Sequence, residues 1–598
     1  MRIPAFMILA LLARSGAAQD APTLDYRLTV DAANLRQIGI TLHIGHAPDT
    51  VRLAMAAHPE YDDRYRRYVT GFAAESRGVA RPVVREDSAV WRVEGTGGDL
   101  TVHYAIALPE AESFRAAWRP YLMPTGGLVG GPHSFMYLLG AESSGSSLVF
   151  DLPSGWEIAT GLARGADANT FSAANAAALL DSPALVGRLS LWHFTAGGVP
   201  HHIAYWRLPA AAGFDTSAFA SNVERLAGEV IRLFGSAPYR DFTFQIEDDA
   251  YGGLEHGNSV TLGIPSARLA EDPAADLDEL AHEYIHTWNL MYLRPAGFGR
   301  LSPYPPEPVS ELWLSEGLTL YYADVVLRRA HLPTPDSTRL RHLAGLMERY
   351  LGSAGNSRLP AELVSRAENS HDPRVLGDYV ASTHLQGELI GTVLDLVIRN
   401  ATGGRRSMDD VMRTLIARRG GARGFTTGDV ERIVAETCGC GVAAFFDAHV
   451  RHGNPIDLDR YLALAGLRAR VVWSPARDRA GAVMPDTRIS PTASSDPAGL
   501  VLRLHDPASA WGRAGLHSGD RLITIDGQHI TTWMAFRKIL SDATLGDTLA
   551  VEARRGAATV RTSVILSGYR RPTVTIEPIA SATPAARTLR ARWVDAAP

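Results

Sequence analysis

The segment His282-Glu283-Tyr284-Ile285-His286 constrains this chain more than any other. Two histidines four positions apart on a helix project from one face, about one turn apart. That is the spacing two imidazoles need to hold one zinc ion. Glu283, next to the first of them, can take a proton from an attacking water. A bare motif of this kind is only moderately specific, so its surroundings decide.

The surroundings agree. Leu277 to Leu290 reads as an amphipathic helix, with Leu277, Leu280, Ala281, Tyr284, Ile285 and Trp288 as its buried stripe. Glu311 to Thr319 reads as the start of a second helix. A catalytic zinc takes three protein ligands and keeps a fourth position for water. Glu316, between two apolar half-turns, is the natural third ligand. The bland alternative is a solvated glutamate on a surface helix. Upstream, Tyr251 to Ser259 precedes the apolar run Val260 to Ile264, which predicts a strand. Gly252 and Gly253 allow a ligand's backbone to approach closely. Glu255 can pair there with a substrate α-ammonium group, which makes an exopeptidase. Its alternative is a glycine-rich turn with a surface acid.

HEYIHTWN at 282–289, the following Leu293-Arg294-Pro295, WLSEGLTLYY at 313–322 and YGGLEH at 251–256 together resemble the glycyl aminopeptidase family. These are thermolysin-like (gluzincin) zinc metallopeptidases with an attached PDZ domain. Similar stretches include Leu394 to Arg399, Thr402-Gly403-Gly404, Ser407 to Met412 and Phe445-Phe446-Asp447. The likeness runs from about residue 25 to 570 and is weakest in the N-terminal third. It implies that His282, His286 and Glu316 bind one zinc ion, that Glu283 is the general base and that Glu255 anchors the substrate amine. It also implies a preference for small N-terminal residues, glycine and alanine first.

One departure stands out. The family usually carries a Tyr-x-Lys-Gly pattern whose hydroxyl donates to the tetrahedral oxyanion. The matching stretch here is Thr383-His384-Leu385-Gln386-Gly387. His384 holds the tyrosine position and can donate a hydrogen bond to an oxyanion. The alternative is a histidine in the pocket wall and an altered activity. Tyr379, five positions earlier, is a poorer substitute, since five residues exceed a full helical turn.

The rest of the chain reads as a multidomain α+β protein of 598 residues. Residues 22–205 show short alternating runs separated by turns, which predicts a β-sandwich-like domain. Its His133, His201 and His202 read as structural. Residues 206–473 read as the mostly helical catalytic domain, with Phe242 to Ile246 as a strand. Pro295 to Pro308 is rich in proline and glycine and reads as a loop over or beside the cleft. Residues 474–498 read as a linker. Residues 499–572 resemble a bacterial PDZ domain, through AGLHSGDRLITIDG at 514–527 and a helix near Met534 to Leu540. Such a domain binds peptides by strand addition, or it serves as a packing module. The tail at 573–598, rich in Ala, Arg and Pro, reads as partly disordered.

The net charge of −5 argues against nucleic acid as a partner. Arg2, the apolar Ile3 to Leu12 and Gly16-Ala17-Ala18 read as a secretory signal over 1–18, implying a bacterial periplasmic or secreted protein without a stable membrane anchor. Cys438 and Cys440 form either a small local disulfide or two free thiols. Three functions compete: a zinc aminopeptidase acting on peptides with a free N-terminus, a zinc endopeptidase, and a peptide-binding protein with a weakened active site.

Overall fold

Apolar and polar residues alternate along Thr23–Thr29 and Gln37–Gly45, so one face of each strand is buried. The computed structural model describes residues 21–57, 65–108, 115–299, 301–368, 370, 372–493 and 496–594. The signal segment expected at 1–18 lies outside the described residues. Both strands sit inside an eight-stranded sheet, flanked by Ser146–Asp151 on one side and Asp99–Ala107 on the other. Two four-stranded sheets pack against it. One apolar core joins them, with Tyr26, Ile40 and Val102 from the large sheet and Leu53, Trp91 and Val186 from the small ones. This is a sandwich, as the alternation requires.

The second unit begins earlier than the boundary expected at 206. Leu189–Ala196 and Val199–Trp206 form a hairpin, and its second strand runs parallel to Phe242–Glu247. Ser259–Gly263 follows in parallel, and Gly253–Glu255 closes the sheet as an antiparallel edge strand. The hairpin alternates like the domain before it, so only the long-range pairing reveals where it belongs. Helices Thr216–Phe234, Leu277–His286, Leu312–Arg329 and Thr383–Thr402 share one core with this sheet. Cys438 and Cys440 are joined by a disulfide at the end of helix Thr427–Cys438. No helix among the described residues is long and apolar enough to cross a membrane.

The C-terminal third corrects two expectations. Leu467–Pro475 pairs with Arg570–Pro578 along its whole length, so the expected linker at 474–498 begins inside a strand. It also contains Ile489–Pro491, which opens a separate six-stranded sheet. That sheet and helix Trp533–Asp542 enclose their own core around Trp511 and Phe536. The described part of the tail, through Val594, forms a strand and a helix. Helix Pro584–Val594 returns to the core of the helical unit, where Trp593 is fully buried and Leu589 nearly so. The Arg339 guanidinium lies 5.2 Å from the Trp593 ring centroid. The Ala, Arg and Pro content hides these two apolar anchors, whose partners lie far away in sequence.

Trp593→Ala is expected to destabilise the helical unit by about 3–5 kcal/mol. Urea denaturation followed by tryptophan fluorescence and far-ultraviolet dichroism checks this. A loss below about 1 kcal/mol would mean that the last helix only rests on the surface.

Candidate metal centre

Helix Leu277–His286 is buried from His282 through His286. His286 Nε2 lies 3.0 Å from His282 Nε2 and 3.3 Å from Glu316 Oε2. His282 Nε2 lies 3.6 Å from the same oxygen. Donor atoms held at zinc-ligand distances in a tetrahedron stand about 3.3 Å apart. The three atoms therefore fit one ion, with the two-nitrogen, one-carboxylate donor set of a catalytic site.

Glu316 reaches this place because two helices touch through their backbones. A Cβ on Gly317 would lie 2.2 Å from the Gly387 Cα, and one on Gly387 would lie 1.8 Å from the Trp313 carbonyl oxygen. No side chain fits at either position. The crossing also brings in His384. Its Nε2 is 3.0 Å from Glu316 Oε2, and its ring stacks on His282 with centroids 5.7 Å apart. Tyr379 lies before helix Thr383–Thr402, and its hydroxyl meets Arg358 instead. Gln386 is structural: its amide donates to the carbonyls of Asn356 and Leu359.

The helix does not run on to Leu290 as the apolar stripe suggests. Thr287–Tyr292 winds into a wider turn in which Asn289 and Leu290 leave helical conformation. The Asn289 carbonyl accepts from His286 Nδ1 at 3.2 Å, which leaves His286 Nε2 facing the cluster. The Asn289 amide donates to Leu314 O, Ser315 O and Thr319 Oγ1. One residue thus orients His286 and ties its helix to that of Glu316. Sequence reasoning missed it, although an asparagine three positions beyond the second histidine was a visible signal.

The edge strand Gly253–Glu255 completes the site. A Cβ on Gly253 would lie 2.4 Å from the Glu283 Cγ, so glycine alone lets the Glu283 side chain lie against this strand. At Gly252, φ is +70° and a Cβ would press on Trp118. Glu255, Glu283 and His286 offer ligand atoms within 4.8 Å of one another. Glu255 and Glu283 are both buried. The structure thus brings all eight residues singled out in the sequence to one place.

The sandwich domain reaches into this sheet. Arg115–Ala116 pairs with Ala250–Tyr251. The Arg115 guanidinium donates to Glu247 at 3.0 Å and to the carbonyls of Asp248 and Asp249, and it lies 3.7 Å from the Tyr121 ring centroid. Both charges are buried. The clamp fixes the turn that leads into Tyr251-Gly252-Gly253, and no local pattern announced it. His201 is structural as expected: its ring nitrogen Nε2 lies 3.1 Å from the Tyr284 hydroxyl, behind the catalytic helix.

Burial lowers the His282 pKa to about 4, helped by the charge of His286, so His282 is neutral. Burial acts the same way on His286, but the Glu316 carboxylate outweighs it and raises the value. Burial raises Glu316, and the His286 charge prevails and holds it well below the usual carboxylate range. A cation in this cluster would take the place of the proton that His286 and Glu316 hold together.

A β-sandwich domain set against a helical unit carrying HEYIH and Glu316 marks a class, the peptidases. Residues 25–188 match the peptidase M61 N-terminal domain, and residues 275–384 match M61 glycyl aminopeptidase. An aminopeptidase N family protein from Idiomarina loihiensis shares the fold at 22% identity and a TM-score of 0.74, over 96% of this chain and 100% of that one. A mutant M1 zinc metallopeptidase from Deinococcus radiodurans, bound to a Tyr-Ser-Ala substrate, aligns at 16% identity and a TM-score of 0.47, over 73% of this chain and 96% of that one. No curated protein matches the sequence.

Glu247 has a folded pKa of about 7, above its ordinary 4.5, because burial outweighs Arg115. The folded state therefore gains from its protonation below about 4.5 and loses that gain as pH rises through 7. Arg115→Met leaves Glu247 buried without its partner. The expected cost is about 3–5 kcal/mol at pH 8, shrinking toward pH 6. Thermal melts at the two pH values check this, and equal losses at both would remove Glu247 from the explanation.

Proposed function

We propose that this chain is a zinc-dependent aminopeptidase that removes N-terminal residues from peptides, with glycine and alanine among its substrates. One observation carries the reading: His282, His286 and Glu316 converge at ligand spacing beside Glu283 and Glu255. When bound, one zinc ion per chain acidifies water and polarises a carbonyl. Glu283 accepts the proton of the attacking water and passes it to the leaving amine. Gly253 gives that carboxylate its room. Glu255 pairs with the α-ammonium group and sets the first peptide bond over the cluster. The edge strand Gly253–Glu255 offers its outer side to the substrate backbone. His384 donates to the developing oxyanion, the role of the tyrosine in the resembling family.

The C-terminal β-unit reads as a PDZ domain, supported by the left-handed turns at Gly515, Gly519 and Gly527 and by helix Trp533–Asp542. Its docking favours the positioning role. The Asp378 carboxylate of the catalytic unit accepts from His517 Nδ1 at 2.6 Å and from the Ser518 amide at 2.7 Å. The apolar segment at 1–12 and the small residues at 16–18 support export to a bacterial periplasm or beyond.

Hydrolysis of glycyl and alanyl chromogenic amides is expected, with an N-acetylated control left intact. Glu283→Gln should retain zinc and lose about 10²–10⁴-fold in rate. Cleavage of the acetylated control would make the chain an endopeptidase and remove the role given to Glu255. No hydrolysis of any peptide with zinc bound would leave a peptide-binding protein.

His384→Phe is expected to lower kcat about 10²–10³-fold with little change in KM. His384→Tyr should restore much of that loss. Equal kcat in wild type and His384→Phe would reduce His384 to a wall residue.

A further inference from the structure

His384 stands in the first turn of helix Thr383–Thr402, and no residue from Asp372 to Ser382, the chain that leads into it, is buried. Hydrogen bonds hold this segment in place of a core. Near the helix, the Val380 carbonyl accepts from Ser353 Oγ at 2.8 Å, and the Ser382 amide donates to Asn356 Oδ1 at 2.9 Å. Further back, the hold comes from the C-terminal β-unit. Asp378 accepts from His517 and from the Ser518 amide, and a Cβ on Gly519 would lie 2.9 Å from the Arg374 Cγ. The loop that makes these contacts is itself fixed. The His517 amide and the Arg555 guanidinium both donate to Asp520, the Gly519 amide donates to the Leu502 carbonyl, and the Leu504 amide donates to Ser518 Oγ. A cavity of about 520 Å³ separates Arg488, His505 and Tyr569 of the β-unit from Ser353 and Val380. The segment is thus pinned at points and not packed along its length.

We propose that the C-terminal β-unit positions His384: by holding Asp378 it fixes the entry to helix Thr383–Thr402, and with it the place of the His384 ring over the cluster. Asp378 and His517 are then positioning residues. The inference rests on the oxyanion role given to His384 above. Six positions separate Asp378 from His384, at most about 20 Å of chain. The His384 side chain is 38% exposed, while those of His282, His286 and Glu316 are 12% or less. Core packing locks those three, so the place of His384 depends more on its backbone. The helix as a whole does not need the β-unit, since Gln386 and Gly387 anchor it directly. What the β-unit fixes is the turn before that anchor. A misplacement of about 1 Å there is enough to cost up to about 10²-fold in rate.

The test uses the full zinc-loaded chain with glycyl and alanyl p-nitroanilides. Asp378→Ala and His517→Ala, one from each side of the contact, are each expected to lower kcat about 10-fold and leave KM within about twofold. In a His384→Phe background, Asp378→Ala should cost nothing more, because the group it positions is gone. Amide hydrogen exchange gives a readout that needs no activity. Residues 379–386 should exchange about 10-fold faster in Asp378→Ala, with helix Leu312–Arg329 unchanged. Two variants guard against one that fails to fold. Unchanged kcat in both, or a rise in KM alone, would overturn the proposal. So would an equal loss with and without His384, which would mark a general structural defect. Silence of the wild-type chain on every substrate would remove the aminopeptidase reading instead. Exchange at 379–386 would then decide alone, and an unchanged rate there would overturn the hold on His384 as well.

Discussion

Backbone contact between Gly317 and Gly387 is the constraint on which the site depends. Glu316 adjoins the first glycine, and His384 lies one helical turn before the second. A methyl group at either position would push the helices apart by more than the tolerance of a metal site, about 0.5 Å. The geometry of the cluster is therefore set by the absence of side chains as much as by their presence. Asn289 works from the other side, since it ends the histidine helix and fastens it to the same partner. The three helices meet at one point, and the cluster lies there.

Gathering imidazoles and carboxylates in a buried place is costly, because each charge loses its water. The cost is offset locally by pairing, as between His286 and Glu316, and globally by a rigid surround. Tyr284, Trp288 and Trp313 fill the core behind the ligands. The sandwich domain holds the strand carrying Glu255 from both of its ends, through Arg115 on the turn before it and Asp181 on His256 and Gly257 after it. Fold and chemistry are linked here at the level of single residues. The strand that carries Glu255 is positioned by a charge from a different domain.

Much of the site was legible because its signals are local. The two histidines follow helical period and Glu316 sits in an apolar helix start, whereas His384 was legible only through the resemblance to the family's Tyr-x-Lys-Gly pattern. The residues that escaped are those whose roles are defined by distant partners. Arg115 acts on Glu247 across domains, and Trp593 meets Arg339 across most of the helical unit. The hairpin at Leu189–Trp206 alternates like a sandwich strand yet pairs with the other sheet. Asn289 shows a third kind of miss. The apolar stripe continues past it, but a hydrogen bond to His286 outweighs helical propensity.

The paired strands Leu467–Pro475 and Arg570–Pro578 give the molecule a jointed plan. Pro475 stands opposite Arg570, so the chain leaves for the C-terminal β-unit and returns from it at neighbouring points. The β-unit is thus an ornament on the tip of a long hairpin, and the catalytic unit is continuous around it in space though interrupted in sequence. A hairpin tip with adjacent ends accepts almost any domain whose own termini lie close together. Such a plan lets the accessory unit be exchanged, enlarged or lost over evolutionary time while the peptidase core keeps its register.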